Sequence, residues 1–144
     1  MPAKNLLFNA LENKVTDRPA WVPFVGCHGG NLLDIDADKY LKSEDLIVEG
    51  ISKGIELYEP DGIPVVFDLQ IEAEALGCDL EWDSENPPSV TSHPLSEDQT
   101  LAELNMVNRE DGRYPLVLSA MERLNNKFGK EVALYGLVTG PFTL

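Results

Sequence analysis

The sequence predicts a parallel α/β fold, and three observations carry that prediction. Amphipathic helical stretches alternate with short apolar runs in the order helix, strand, helix, strand, excursion, helix, strand, which is the pattern of βα units. The apolar runs read as buried strands, not as alternating half-exposed ones. The last run begins at Glu131 and ends in Gly136-Leu137-Val138-Thr139-Gly140-Pro141-Phe142-Thr143-Leu144, a Gly-Pro turn at a strand's carboxyl end, where parallel sheets form ligand pockets. A covering helix should follow such a strand. Residues 1–144 are therefore expected to be the front portion of a larger domain, ending after its third strand.

Each element has its own warrant. Leu6, Leu7, Ala10 and Leu11 form one apolar stripe, predicting a helix over Asn5 to Lys14 that stops before Arg18-Pro19, because the residue before a proline leaves the helical region. Ala20 to Gly26 is the first predicted strand, although Pro23 removes a ladder donor. Cys27-His28-Gly29-Gly30-Asn31 is a glycine-bearing loop at its end. Ser43 is placed to cap a helix whose first turn carries Glu44 and Asp45, both suited to the positive end of the dipole. That helix runs on through Ile47, Ile51, Ile55 and Tyr58.

Ile63 to Asp68 is the second strand, with an acid at its end. A helical start at Ile71–Leu76 and a hairpin across Cys78–Val90 occupy the long excursion up to Asp111. Tyr114 to Lys127 is an amphipathic helix with Leu116, Val117, Ala120, Met121 and Leu124 inward, closed by Gly129 as a left-handed cap. Glu131 opens the third strand.

Composition narrows the function classes. Of 144 residues, 43% are apolar and 25% charged, the mix of a globular domain. The net charge of -14 with no basic cluster repels a nucleic-acid backbone. No apolar run approaches the roughly 20 residues that cross a bilayer, and the first residues lack a secretory signal. Two cysteines, Cys27 and Cys78, make no disulfide framework. A cytoplasmic chain with no nucleic-acid or membrane partner is expected.

Three motifs then stand in order. Pro19-Ala20-Trp21 opens the first strand. Phe67-Asp68-Leu69-Gln70-Ile71-Glu72-Ala73-Glu74-Ala75-Leu76-Gly77 spans the end of the second. Gly136, Gly140 and Pro141-Phe142-Thr143-Leu144 close the third. Together they resemble the uroporphyrinogen decarboxylase superfamily, over the chain from about Arg18 onward. The resemblance implies the N-terminal portion, about three βα units, of a TIM (β/α)8 barrel, a fold of about 250 residues.

Two chemistries share that family fold. Tetrapyrrole decarboxylases follow the Pro-x-Trp motif with an arginine-bearing segment that holds the substrate's carboxylates, a task suited to the guanidinium fork. Here the matching stretch, Val22 to Gly30, contains no arginine or lysine. The resemblance therefore favours the other branch, corrinoid-dependent methyltransferases that pass a methyl group to a thiol such as coenzyme M. That branch implies a zinc-activated thiolate and a corrinoid protein as partner, with the zinc ligands in the second half of the barrel and no metal within residues 1–144. Uroporphyrinogen decarboxylation in porphyrin biosynthesis is the same-fold alternative. A non-catalytic module completed by a partner chain is the alternative of another class, and the chain alone is expected to be inactive.

The resemblance makes Asp68 the pocket acid. Its residue-level alternative is a carboxylate capping the next turn. Trp21, Cys27, His28, Gly29, Gly30, Gly140, Pro141 and Phe142 are the candidate substrate-binding residues. Cys27 and His28 are adjacent, so their side chains are expected to diverge instead of sharing one tetrahedral site. Glu72 and Glu74 face different sides of a helix start and make no catalytic carboxylate pair. Cys78 is expected to be a small buried hydrophobe, and His93 a surface residue.

Overall fold

The computed structural model describes residues 2–96, 99–104 and 106–142. The Thr143-Leu144 end of the third motif lies outside them. The sheet that organises the chain is a parallel pair, β1 (Gly62–Pro64) and β4 (Ala133–Tyr135), in the register Ile63 with Leu134. Flanking bonds extend it at both ends: Ala133 N–H donates to the Asp61 carbonyl and Val65 N–H to the Tyr135 carbonyl, each at 3.1 Å. Between them a hairpin, β2 (Leu80–Glu81) with β3 (Ser89–Val90), pairs antiparallel, where the sequence predicted one.

The predicted first strand is corrected. Residues 21–25 form no strand and no ladder with β1. The reason is a shortage of donors. Val65 donates toward β4, and N–H groups alternate sides along a strand. Pro64 therefore leaves β1 a donor short on the edge away from β4, and the first segment itself carries Pro19 and Pro23.

What ties that segment down is Asp61, whose side chain is 1% exposed. Its backbone N–H donates to the Trp21 carbonyl at 2.9 Å, and its Oδ2 accepts from Trp21 N–H at 2.8 Å. Arg18 closes a fork on the same carboxylate at 2.6 and 2.8 Å. That fork, followed by the Trp21 N–H bond, holds the Asp61 carboxyl below the usual aspartate range against its burial.

Helices cover this sheet. α1 (Lys4–Leu11), shorter than predicted, lies at the amino end of the strands, where Lys4 N–H donates to the Glu131 carbonyl at 2.8 Å. Two short helices, α2 (His28–Asn31) and α3 (Ala37–Tyr40), follow the first segment. α4 (Glu44–Tyr58) starts at Ser43, whose hydroxyl accepts from Leu46 N–H at 3.4 Å, and buries Ile47, Gly50, Ile51, Gly54 and Ile55. It ends at Glu59 in a left-handed conformation (φ 49°, ψ 52°).

α5 (Ile71–Ala75) follows the second strand, and α6 (Tyr114–Phe128) packs on α4, with Ala120 and Leu124 fully buried. Arg123 of α6 reaches both Glu44 and Asp45 at 2.7 Å. Gly129 is not the predicted left-handed cap, since its φ is -63°. A side chain there would meet Asn125 Oδ1 at 2.1 Å, so the constraint is space. No described helix is long and apolar enough to cross a membrane.

Several large apolar side chains stay exposed. Phe24, 58% exposed, stacks on Phe67 with ring centroids 4.9 Å apart, and Leu69 and Val138 are also exposed.

Candidate functional site

The carboxyl ends of the three predicted strands meet. Gly26 takes φ +50° against Phe67, and a methyl group on it would lie 3.5 Å from Phe67 Cδ1, an ordinary contact, so glycine serves the left-handed conformation. Thr139, past the end of β4, donates its hydroxyl to the Leu69 carbonyl at 2.8 Å. Gly26–Cys27, Phe67–Leu69 and Thr139 thus form one rim.

Asp68 is buried in that rim at 3% exposure. Its Oδ1 accepts from Gln70 N–H at 2.9 Å, closing the turn into α5. Its Oδ2 lies 2.7 Å from Arg113 Nη2, yet neither atom completes an aligned hydrogen bond with any described partner. The contact is a charge pair with unused hydrogen-bonding capacity on both sides.

Arg113, also buried, stands at the start of α6 and donates from Nε to Glu74 Oε2 at 2.6 Å. Its Nη1 points to the Leu41 carbonyl at 3.4 Å, and its guanidinium carbon lies 4.8 Å from the centre of the Trp82 ring. A guanidinium at a helix amino terminus opposes the dipole, and the two carboxylates offset that cost. The cluster gathers the end of the second strand, α5, the hairpin and α6 around one cation.

Cys27 is the half-buried neighbour of this pair. Burial, then the Asp68 carboxylate, pushes its thiol above the usual range, so it is a protonated thiol at neutral pH. His28 is exposed, and its Nε2 is hydrogen-bonded to the Tyr58 hydroxyl at 2.7 Å. The two side chains do diverge. Gly29 and Gly30 are buried under Tyr40, where a Cβ on Gly29 would sit 2.2 Å from the Tyr40 hydroxyl, so their place in the structure is close packing.

Trp21 does not join the rim. Its bonds to Asp61 place it at the amino end of the strands, edge-on to Tyr58 with ring centroids 6.5 Å apart. Gly140, Pro141 and Phe142 follow Thr139 and are exposed. Glu72 and Glu74 part, with Glu74 on Arg113 and Glu72 raising the Tyr114 hydroxyl after the larger effect of burial. Cys78 is half-buried and His93 exposed. An open cleft of about 380 Å³ lies at the opposite, amino end, between α1 and Val15–Arg18. It is remote from the Asp68 rim.

Among the described residues no group of three or more His, Cys, Asp or Glu side chains is arranged to hold a metal ion. With Cys27 beside Asp68 and His28 on Tyr58, the donors present do not fit a zinc centre.

Arg113 and Trp82 are the site residues that sequence reasoning missed. A signal existed in Asp111-Gly112-Arg113-Tyr114-Pro115: an arginine in the first turn of a helix, where the dipole disfavours it, needs an acidic partner elsewhere.

A parallel strand pair wrapped by helices, with a buried acid at the strands' carboxyl ends, is the arrangement of part of a βα barrel. The family model for uroporphyrinogen decarboxylase (URO-D) matches residues 2–144, and the chain belongs to that family. Methylcobamide:CoM methyltransferase MtbA of Methanosarcina acetivorans is 34% identical over 85 residues, covering 58% of this chain and 25% of that protein. A methylated-thiol–coenzyme M methyltransferase of Methanosarcina mazei is 34% identical over 91 residues, 63% of this chain and 23% of that one. The matched stretch thus spans about a quarter of these curated relatives. A solved methyltransferase from Methanosarcina mazei superposes with TM-score 0.78 at 24% identity, covering 99% of this chain and 44% of that chain. That likeness establishes the barrel fold, of which this chain forms the N-terminal part.

Proposed function

We propose that residues 1–144 form the first part of a corrinoid-dependent methyltransferase barrel that passes a methyl group to a small thiol such as coenzyme M. The observation that carries the reading is the identity of the matched relatives, which are named as coenzyme M methyltransferases. The arginine-free Val22–Gly30 stretch supports it, because a substrate with many carboxylates would find no fork to hold it there.

In this reading Asp68 is the pocket's acid, its Oδ2 placed to accept a hydrogen bond from the thiol S–H of the bound substrate. Arg113 balances its charge and holds it in place. Cys27, Gly140, Pro141 and Phe142 line the same mouth, while His28, Gly29 and Gly30 support it from the helix side and Trp21 takes no part in it. The exposed Phe24–Phe67 face is the part that the remaining strands, or a partner chain, would cover. In this reading the zinc ion and the corrinoid protein belong to the complete enzyme in a reducing cytoplasm.

The test is an assay of the complete native gene product with methylcobalamin and 2-mercaptoethanesulfonate, beside a second assay with uroporphyrinogen. Methylation of the thiol with no decarboxylation is the expected result. Release of carbon dioxide from uroporphyrinogen, without methyl transfer, would overturn the reading in favour of tetrapyrrole chemistry.

A further inference from the structure

Trp82 has two cations against one ring. Lys42 Nζ lies 3.8 Å from the ring centre and the Arg113 guanidinium carbon 4.8 Å from it. Lys42 is exposed and Arg113 buried, so the half-buried indole separates a solvated cation from a dry one. The hairpin that carries Trp82 is anchored beside it, since Ala37 N–H donates to the Ser84 carbonyl at 2.7 Å.

The guanidinium's edge faces Glu74, the Leu41 carbonyl and Asp68, with the Nη2 contact to Asp68 left unaligned. A planar cation held by edge contacts of unequal quality, with the Leu41 contact at 3.4 Å, is free to tilt unless a face is covered. An indole covers it and attracts it through the ring quadrupole without competing for hydrogen bonds.

We propose that Trp82 is a positioning residue, its ring fixing the plane of the Arg113 guanidinium so that Nη2 faces Asp68 Oδ2. The proposal rests on Asp68 being the pocket acid only for its consequence in catalysis. The positioning itself is a property of this chain and is read without any methyl-transfer assay.

The experiment follows the Arg113 Nε–Hε signal in ¹⁵N-labelled protein. In the wild type the signal should be displaced by the Trp82 ring current and slow to exchange with solvent, because Nε donates to Glu74. Trp82→Leu keeps apolar cover but removes the quadrupole, and should speed the exchange about tenfold, as a cation–π contact of this kind allows. Trp82→Phe should restore most of the protection.

If Trp82→Leu does not fold, fluorinated tryptophans in a Trp21→Phe background replace it. They weaken the quadrupole at constant shape, and exchange should quicken stepwise with each added fluorine. Unchanged exchange across that series, or equal protection in the Leu and Phe variants, would overturn the proposal. In the complete gene product, the Leu variant should lower kcat with Phe rescuing it. A product with no methyl-transfer activity but with the expected exchange pattern would sink the functional reading and leave the positioning intact.

Discussion

Asp68 Oδ2 and Arg113 Nη2 approach to 2.7 Å inside the protein, with side chains 0% and 8% exposed. The pair links the tip of the second strand to the first residue before α6, and Glu74 shares the same cation. Three charges in so dry a place are worth little as a net stabiliser, but removing one of them strands the others.

The partners are unequal, which gives the first prediction. Arg113→Met leaves two carboxylates without their cation and should cost about 3–5 kcal/mol. Asp68→Asn leaves Arg113 still held by Glu74 and should cost about 1–3 kcal/mol, the range for leaving a buried polar group less well satisfied. Urea unfolding of the two variants and of the double variant checks this, and the double variant should lose less than the sum.

The second prediction concerns acid. Asp61 is held below an aspartate's ordinary value of 3.8, first by Arg18, by the side-chain hydrogen bonds of its fork. The unfolded chain therefore binds that proton at higher pH than the folded one. The stability Asp61 contributes is complete above the ordinary value and is lost as pH falls through the lowered one. Thermal unfolding measured downward from about pH 5 should show a steep acid limb that Asp61→Asn flattens, while lowering stability at neutral pH.

Two glycines of α4 should respond oppositely to alanine. A Cβ on Gly50 would lie 2.6 Å from the Gly29 carbonyl oxygen and 2.7 Å from Tyr40 Cε2, contacts with backbone and a packed ring that cannot yield. Gly50→Ala should cost about 1–3 kcal/mol. On Gly54 the nearest atom is Val25 Cγ2 at 3.4 Å, ordinary contact, so Gly54→Ala should be neutral or stabilise by up to about 1 kcal/mol through helix propensity. Midpoints of thermal unfolding for the two variants test the contrast.

Cys27 offers a chemical probe of the rim. Its thiol is raised by burial first and by Asp68 second, so the reactive thiolate is scarce at neutral pH. Alkylation by iodoacetamide, followed peptide by peptide, should be slower at Cys27 than at an exposed model thiol. Asp68→Asn should speed it at constant fold, and no change would mean that the two groups do not sense each other.

Most of the helical frame was legible because its signals are local. Ser43 followed by two acids and the isoleucine spacing up to Tyr58 fixed α4, and the inward face of α6 at Ala120 and Leu124 followed from spacing too. Parallel pairing of the second and third strands was legible from the alternation of elements. The first strand failed for a nonlocal reason: its own prolines were visible, but the donor lost at Pro64 on the facing strand could be matched to it only in three dimensions. Gly129 shows the same limit, since the side chain that crowds it, Asn125, leaves no conformational signature in the sequence. Asp68 was singled out by its motif. Arg113 was not, because a solitary arginine at a helix start resembles any surface charge until its acidic partners are placed around it.

We propose that catalysis takes place at the carboxyl ends of the strands, around Asp68, and not at the amino-end cleft. The most direct test compares methyl transfer from methylcobalamin to 2-mercaptoethanesulfonate by the complete gene product carrying Asp68→Asn with the product carrying Asn9→Ala, which alters the lining of the other cleft. A loss of about 100-fold or more in kcat/KM is expected for the first, the size of effect seen when a preorganised polar contact is removed, and little change for the second. Full activity in the Asp68→Asn enzyme, with a large loss in Asn9→Ala, would contradict it.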